Sequence, residues 1–67
     1  MKIIEREYNP LQDKATYTVL ADAASEVTAD LYPECAIGST ILCVATKDIF
    51  IKNTEGKWQR FGTTEVI

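Results

Sequence analysis

Few residues of this chain could carry out chemistry, and their spacing fits none of the usual catalytic or metal-binding sites. There is no histidine among the 67 residues, which excludes the Ser-His and Cys-His nucleophile pairs. The two cysteines, Cys35 and Cys43, match no zinc-binding spacing. Both lie in apolar sequence, where a free cysteine behaves as a small buried hydrophobe. A single bridge between them is conceivable but would close only a short loop. We expect no metal and no other cofactor.

The remaining polar residues do not form a reactive group either. Glu5 and Glu7 would share one side of a strand, but no pocket-forming residues accompany them, so we interpret them as surface charge. The three glycines, Gly38, Gly56 and Gly62, stand singly at turns or strand boundaries and make no phosphate-binding loop. The sequence therefore predicts a protein that is not an enzyme.

The charge balance and hydropathy exclude two further classes of partner. Seven basic residues face ten acidic ones, whereas nucleic-acid binders usually carry a basic stripe. The basic residues of the last third are interrupted by Asp48 and Glu55. No apolar run approaches the roughly 18 residues that span a bilayer, and residues 1–7 do not resemble a signal peptide. We expect a soluble intracellular protein with no nucleic-acid or membrane partner.

The length predicts a single domain over residues 1–67 whose core is small. A domain of this size buries only about 60% of the surface of its unfolded chain, and ordering it costs about 1.5 kcal/mol per residue. Such chains are often stabilised by disulfides, a metal or a partner subunit. Because the first two are not expected, we predict association with other proteins or with further copies of the chain.

The fold class predicted from the pattern is mainly β, with a small antiparallel sheet. Residues Lys14–Leu20 are rich in β-branched and aromatic residues and predict a strand with Tyr17 and Val19 on one face. Before it, Met1–Tyr8 carries two isoleucines among charged residues, and Asn9-Pro10 predicts a turn. Residues 22–31 have the composition of a short helix, and an irregular loop is an equally good interpretation.

The C-terminal part predicts a three-stranded antiparallel meander. Its first strand is the run Thr40–Thr46, which is apolar enough to be buried on both faces. The second is Ile49–Asn53, after a tight turn at Lys47-Asp48. The third, Lys57–Phe61, follows a type I turn at Asn53–Gly56. Four strands are therefore expected in all.

Three strands leave a face that something must cover. Either the N-terminal strand and residues 21–31 cover it, or another subunit does. We expect Trp58 to lie over Ile49 or Ile51 on the same face of the meander. If the chain acts by binding proteins, its aromatic side chains are the first candidates for the interface, and core packing is the alternative for each of them. The candidates are Tyr8, Tyr32, Phe50, Trp58 and Phe61.

One stretch of the chain resembles a known group of proteins. Residues 36–62 contain Gly38-Ser39-Thr40, then Asp48-Ile49-Phe50, then Lys57-Trp58 and an aromatic-glycine close. This order is similar to that of small tailed-phage structural and accessory proteins, and residues 1–35 add no match. The resemblance implies a capsid decoration, head-fibre or head–tail component that resides in the virion. Its implied partners are other virion proteins or copies of itself, in a homo-oligomer or bound to a lattice, with contacts along the open edge of the sheet.

Two other functions are alternatives to this one. A small intracellular regulatory or inhibitory protein would dock on one protein partner and remain a monomer. A five-stranded oligonucleotide-binding barrel would require a fifth strand and a basic face, neither of which the sequence predicts.

Overall fold

The regular structure of the chain consists of five strands and a single 3-10 turn. The computed structural model describes all 67 residues. The strands are β1 (Lys2–Asn9), β2 (Lys14–Ala21), β3 (Thr40–Cys43), β4 (Asp48–Lys52) and β5 (Trp58–Arg60). They form one sheet in the order β1-β2-β3-β4-β5, in which only β2 and β3 run parallel to each other. The predicted mainly β class is confirmed, and the sheet is mixed because of this one parallel pair.

Strand β2 supplies the centre of the core, as its alternating sequence predicts. Tyr17, Val19 and Ala21 are buried on one face, whereas Thr18 and Leu20 are half exposed on the other. The alternation follows from the two-residue period of a strand. The predicted strand is confirmed and is one residue longer at its end.

The three C-terminal strands form the predicted meander, but β3 is shorter than predicted. It ends at Cys43, and residues 44–47 form a turn in which Lys47 adopts a φ of 63°. The prediction that this strand is buried on both faces is wrong. Ile41 and Cys43 are buried, whereas Leu42 on the opposite face is half exposed.

Trp58 lies on the face opposite to the predicted one. Its partner across the ladder is Lys52, and both side chains point into the core together with Phe50. Ile49 and Ile51 lie on the other face, where they are partly exposed. The core face of β4 is therefore the face that carries a lysine.

Strand β1 was not predicted, and its place in the sheet explains why. It is an edge strand that pairs only with β2. Both of its faces are largely exposed, and only Ile3 packs against the core. A bulge between Ile3 and Glu5 also shifts its register. The fifth strand does not close a barrel, because β1 and β5 lie at opposite edges.

Residues 22–39, called the cover segment below, connect β2 to β3 across the core face. A parallel pair requires such a crossover, and a helix is the usual solution. Here the only regular structure is the 3-10 turn at Ala24–Glu26, so the possible helix at residues 22–31 is reduced to this turn. Val27, Leu31 and Tyr32 pack against the core. The chain itself thus covers the face for which a second subunit was the alternative.

The ammonium group of Lys52 holds the cover segment in place. Lys52 is only 5% exposed. Its Nζ donates hydrogen bonds to the carbonyl oxygens of Tyr32, Pro33 and Cys35 at 2.9, 3.4 and 3.0 Å. It also lies 5.9 Å from the centre of the Trp58 ring, which adds a cation–π attraction. The tightest part of the segment, where Tyr32 adopts a φ of 46°, is therefore fixed by one side chain.

Three further hydrogen bonds attach the cover segment to the sheet. Trp58 Nε1 donates to the Leu31 carbonyl at 2.9 Å. The Ser39 hydroxyl accepts from the Tyr17 amide at 3.0 Å. The Tyr17 hydroxyl donates to Glu34 at 3.0 Å. Buried polar groups of an irregular segment require such partners, and here the sheet provides them.

The start of the cover segment is attached by charge. The Met1 ammonium lies 3.0 Å from a Glu26 carboxylate oxygen and 3.5 Å from Asp22. The other Glu26 oxygen accepts from the Asp22 and Ala23 amides. The hydrogen bond to the Met1 ammonium, and then these two amides, lower the pKa of Glu26. The hydrogen bond to Glu26 raises the pKa of the Met1 amine.

We expect Lys52→Met to lower the free energy of unfolding by about 2–4 kcal/mol. Methionine keeps the apolar stem but leaves buried carbonyl groups without donors, each at a cost of about 1–3 kcal/mol. Urea denaturation followed by circular dichroism measures the change. Lys57→Met, at an exposed lysine, is the control, and its free energy of unfolding should stay near that of wild type. Equal effects of the two substitutions would contradict the role assigned to Lys52.

We expect Glu26→Gln to remove a stabilisation that depends on pH. The lowered pKa of Glu26 stabilises the fold above the usual value of 4.5, and this contribution is lost as the pH falls below it. The raised pKa of the Met1 amine stabilises the fold below the usual value of 8.0, and this contribution is lost as the pH rises. The Tm difference between wild type and variant should be largest between these two values and should shrink outside them. A difference independent of pH would contradict the ion pair.

Candidate docking face

The sheet has one face without a covering layer, which is called the outer face below. The cover segment lies on the opposite side, over Val19, Ile41 and Trp58. Antiparallel sheets often leave one face in water, and that face is then polar. Part of the outer face follows this rule, since Thr18 and Thr40 face each other on β2 and β3.

At the other end of the outer face, apolar side chains lie next to one another. Leu20 pairs with Leu42 across β2 and β3, and Leu42 pairs with Ile49 across β3 and β4. The Phe61 amide donates to the Ile49 carbonyl at 2.7 Å, which extends the same line beyond the end of β5. These four side chains, Leu20, Leu42, Ile49 and Phe61, are called the apolar row. Adjacent strands are about 4.8 Å apart, so the row spans roughly 14 Å.

The apolar row is accessible along its whole length. Leu20 and Leu42 are half exposed, Ile49 is 37% exposed and Phe61 is 65% exposed. Val44, in the turn that follows β3, is exposed beside it. Single exposed apolar side chains are common, whereas adjacent ones are typical of surfaces that bind other molecules.

Two features border the row. Ile51 lies in the next line of side chains, between Thr40 and Gln59. Beside Ile51, Gln59 and Phe61 there is a shallow depression of about 180 Å³. The outer face therefore offers an apolar line with a small recess at one end, a shape suited to an inserted side chain.

The two edges of the sheet differ. The C-terminal residues fold back along β5, with a bridge between Gln59 and Val66 and a hydrogen bond from the Ile67 amide to the Trp58 carbonyl at 3.0 Å. Residues 2–8 of β1 make no backbone hydrogen bond outside their ladder to β2. Only the β1 edge is open for pairing with another strand.

The structure separates the five aromatic candidates. Phe50 and Trp58 are 6% and 1% exposed and belong to the core, so they present no surface to a partner. Tyr32 is half buried and packs edge-on against Tyr17, with 5.5 Å between ring centres. Tyr8 and Phe61 are 61% and 65% exposed. Of the five, only Phe61 lies in the apolar row.

The leucines and isoleucine of the apolar row were missed in the sequence. Leu42 stood in a run that was interpreted as buried on both faces. The side of β4 that carries Ile49 was interpreted as the face covered by Trp58. The signal that finds the row is the register between strands, which places residues 20, 42 and 49 in one line.

Several reactive or charged side chains are buried or paired within the fold. Both cysteines are free and buried. Arg60 pairs with Asp48 at 2.9 Å. The hydrogen bond to Glu34, and then burial, raise the pKa of Tyr17, and the hydrogen bond to Asp13 raises the pKa of Tyr8.

Neither a metal-binding cluster nor a membrane-spanning helix is found. No three histidine, cysteine, aspartate or glutamate residues lie close enough together to hold a metal ion. No helix has the length and hydropathy needed to cross a membrane.

Comparison with known proteins identifies no relative. No protein-family model, curated protein or solved structure matches the chain. The candidate site therefore depends on the geometry of this molecule alone.

We expect Trp58→Ala and Phe61→Ala to have very different effects on stability. The first removes a buried ring and its hydrogen bond and should lower the free energy of unfolding by about 3–5 kcal/mol. The second removes an exposed ring and should change it by less than about 0.5 kcal/mol. Urea denaturation of both variants measures the difference. A stable Trp58→Ala protein would contradict the core position of this residue.

Proposed function

We propose that this protein is a non-enzymatic accessory component of a tailed-phage particle that docks through its outer face. Its partner is another virion protein or a further copy of the chain. The observation that carries the proposal is the apolar row, which lies uncovered on a chain that already covers its own core.

The resemblance to small tailed-phage proteins supports the particle as the setting. Its three matched elements fall on the meander: Gly38-Ser39-Thr40 leads into β3, Asp48-Ile49-Phe50 begins β4 and Lys57-Trp58 begins β5. The stretch that carries the resemblance, residues 36–62, contains three of the four side chains of the apolar row. It also contains Lys52 and Trp58, which hold the cover segment.

Docking by the face is favoured over the expected contact along the sheet edges. If the β1 edge of one copy paired with the β5 edge of another, the β5 edge would have to be free. The C-terminal residues occupy that edge. Face contact requires no such rearrangement. It also leaves the cover segment and its hydrogen bonds intact.

The size of the outer face limits how tightly one molecule binds. Five strands about 4.8 Å apart give a face roughly 20–24 Å wide, and the longest strand, of 8 residues, is roughly 26 Å long. The area of the face is therefore at most about 600 Å², which is below the roughly 800 Å² per partner that a typical stable interface buries. If several copies are joined in a homo-oligomer, their faces bind neighbouring sites of a lattice together and gain avidity. A repeating particle surface therefore suits this face.

The test uses a double variant, Ile49→Thr with Phe61→Thr. Threonine keeps a high strand propensity, so the fold and its Tm should be preserved. The amount of protein in purified particles of the source phage should fall about tenfold or more, since two contact side chains are lost. Ile37→Thr, at an apolar residue of the cover segment that is 40% exposed and outside the row, is the matched control and should be incorporated like wild type.

Two results would count against the proposal. Absence of the wild-type protein from purified particles would contradict the virion role and favour a regulatory protein with one intracellular partner. Normal incorporation of the double variant would place the docking surface elsewhere. Light scattering of the purified protein, which gives its molar mass, shows which partner is used: a discrete oligomer indicates further copies, and a monomer indicates another virion protein.

A further inference from the structure

The open edge of β1 is a second surface with a definite pattern of charge. Past the bulge, residues Glu5–Asn9 pair regularly with β2. The outward backbone groups of residues 5–8 have no partner within the chain. An edge of this kind is a template on which another strand can pair.

The two carboxylates of this edge lie on the same face. Glu5 stands opposite Thr18 and Glu7 opposite Thr16, so both side chains belong to the outer face of the sheet. Both are exposed, and neither takes part in an ion pair. Arg6 between them points to the other face, where its guanidinium lies 5.1 Å from the centre of the Tyr17 ring.

This pattern disfavours pairing of β1 with the β1 of a second copy. Two copies that extend one sheet pair antiparallel about an axis normal to the sheet. Residues directly opposite each other then share a face. Centring the pair on Arg6 places arginine opposite arginine and Glu5 opposite Glu7 of the other copy. Moving the centre to Glu5 or Glu7 places that carboxylate opposite itself. Like charges in such positions destabilise the pair.

The same pattern favours a strand of opposite charge. Two basic residues that are two positions apart on an incoming strand would face Glu5 and Glu7 at the same time. The spacing matches because side chains on one face of a strand recur every two residues. Exposed apolar residues lie along the same edge, namely Ile4, Tyr8 and Leu11. Shallow depressions of about 300 and 410 Å³ border them at residues 3–6 and beside Tyr8 and Leu11.

We propose that the β1 edge binds an extended segment of another protein that carries lysine or arginine at alternate positions. Backbone hydrogen bonds to residues 5–8 hold the segment. The two carboxylates select its charge, and Tyr8 and Leu11 contact its apolar residues. This interaction is independent of the apolar row.

The probes are two blocked hexapeptides, Thr-Lys-Val-Lys-Val-Thr and Thr-Glu-Val-Glu-Val-Thr, titrated into the full-length ¹⁵N-labelled protein at low salt. The lysine peptide should shift the amide resonances of residues 5–9 and bind about tenfold more tightly than the glutamate peptide, because two cross-strand charge pairs change sign. The double variant Glu5→Lys with Glu7→Lys should reverse this preference.

Two controls separate edge pairing from general attraction. Asp30→Lys with Glu55→Lys changes the net charge by the same amount at exposed sites away from β1, and it should keep the preference for the lysine peptide. Ile49→Thr with Phe61→Thr should also bind the lysine peptide normally, because it alters only the apolar row at the side of the sheet away from β1. The proposal is overturned if the lysine peptide shifts no β1 amide, if its shifts map to the apolar row, or if the reversal variant still prefers lysine.

Discussion

The buried ammonium group of Lys52 is the contact on which the rest of the structure depends. The cover segment has no ladder or helix to satisfy its backbone, and burying a free carbonyl group is costly. One positive charge bonds three of these carbonyls. No carboxylate pairs with this charge, so carbonyl dipoles and the Trp58 ring offset its desolvation. The main chain of Lys52 also bonds to residues 38 and 39, and the residue thereby joins the middle and the end of the crossover to the sheet.

The same arrangement determines which surfaces of the molecule remain accessible to a partner. A chain of this length has enough residues for one sheet and one layer over it. Because the cover segment is used on one side, the outer face receives no layer. Its threonines suit water, but the apolar row does not. The two surfaces available to partners, the apolar row and the β1 edge, are thus both consequences of building a core from a sheet and an irregular crossover.

The parts of the fold that were predictable depend on local sequence. Strand β2 and the meander follow from alternation and from turn residues such as Asn53 and Gly56, whose hydrogen bond closes the turn at 2.9 Å. The parallel pairing of β2 with β3 was not predictable, because no local sequence pattern shows which strands become neighbours in the sheet. Strand β1 lacks alternation because water lies on both of its faces. For β4, the sequence Ile-Phe-Ile-Lys indicates that the isoleucines are inside. The buried lysine reverses that assignment, and with it the face of Trp58 and the position of the apolar row.

The C-terminal residues that fold back along β5 make the two edges of the sheet unequal. A sheet with two free edges can add units at both ends and grow without limit into a fibre. Here the bridge between Gln59 and Val66 closes one end, so a strand that joins at β1 meets no second acceptor on the far side. Each molecule then ends a sheet and does not propagate it. A high concentration of the protein consequently does not by itself build longer sheets.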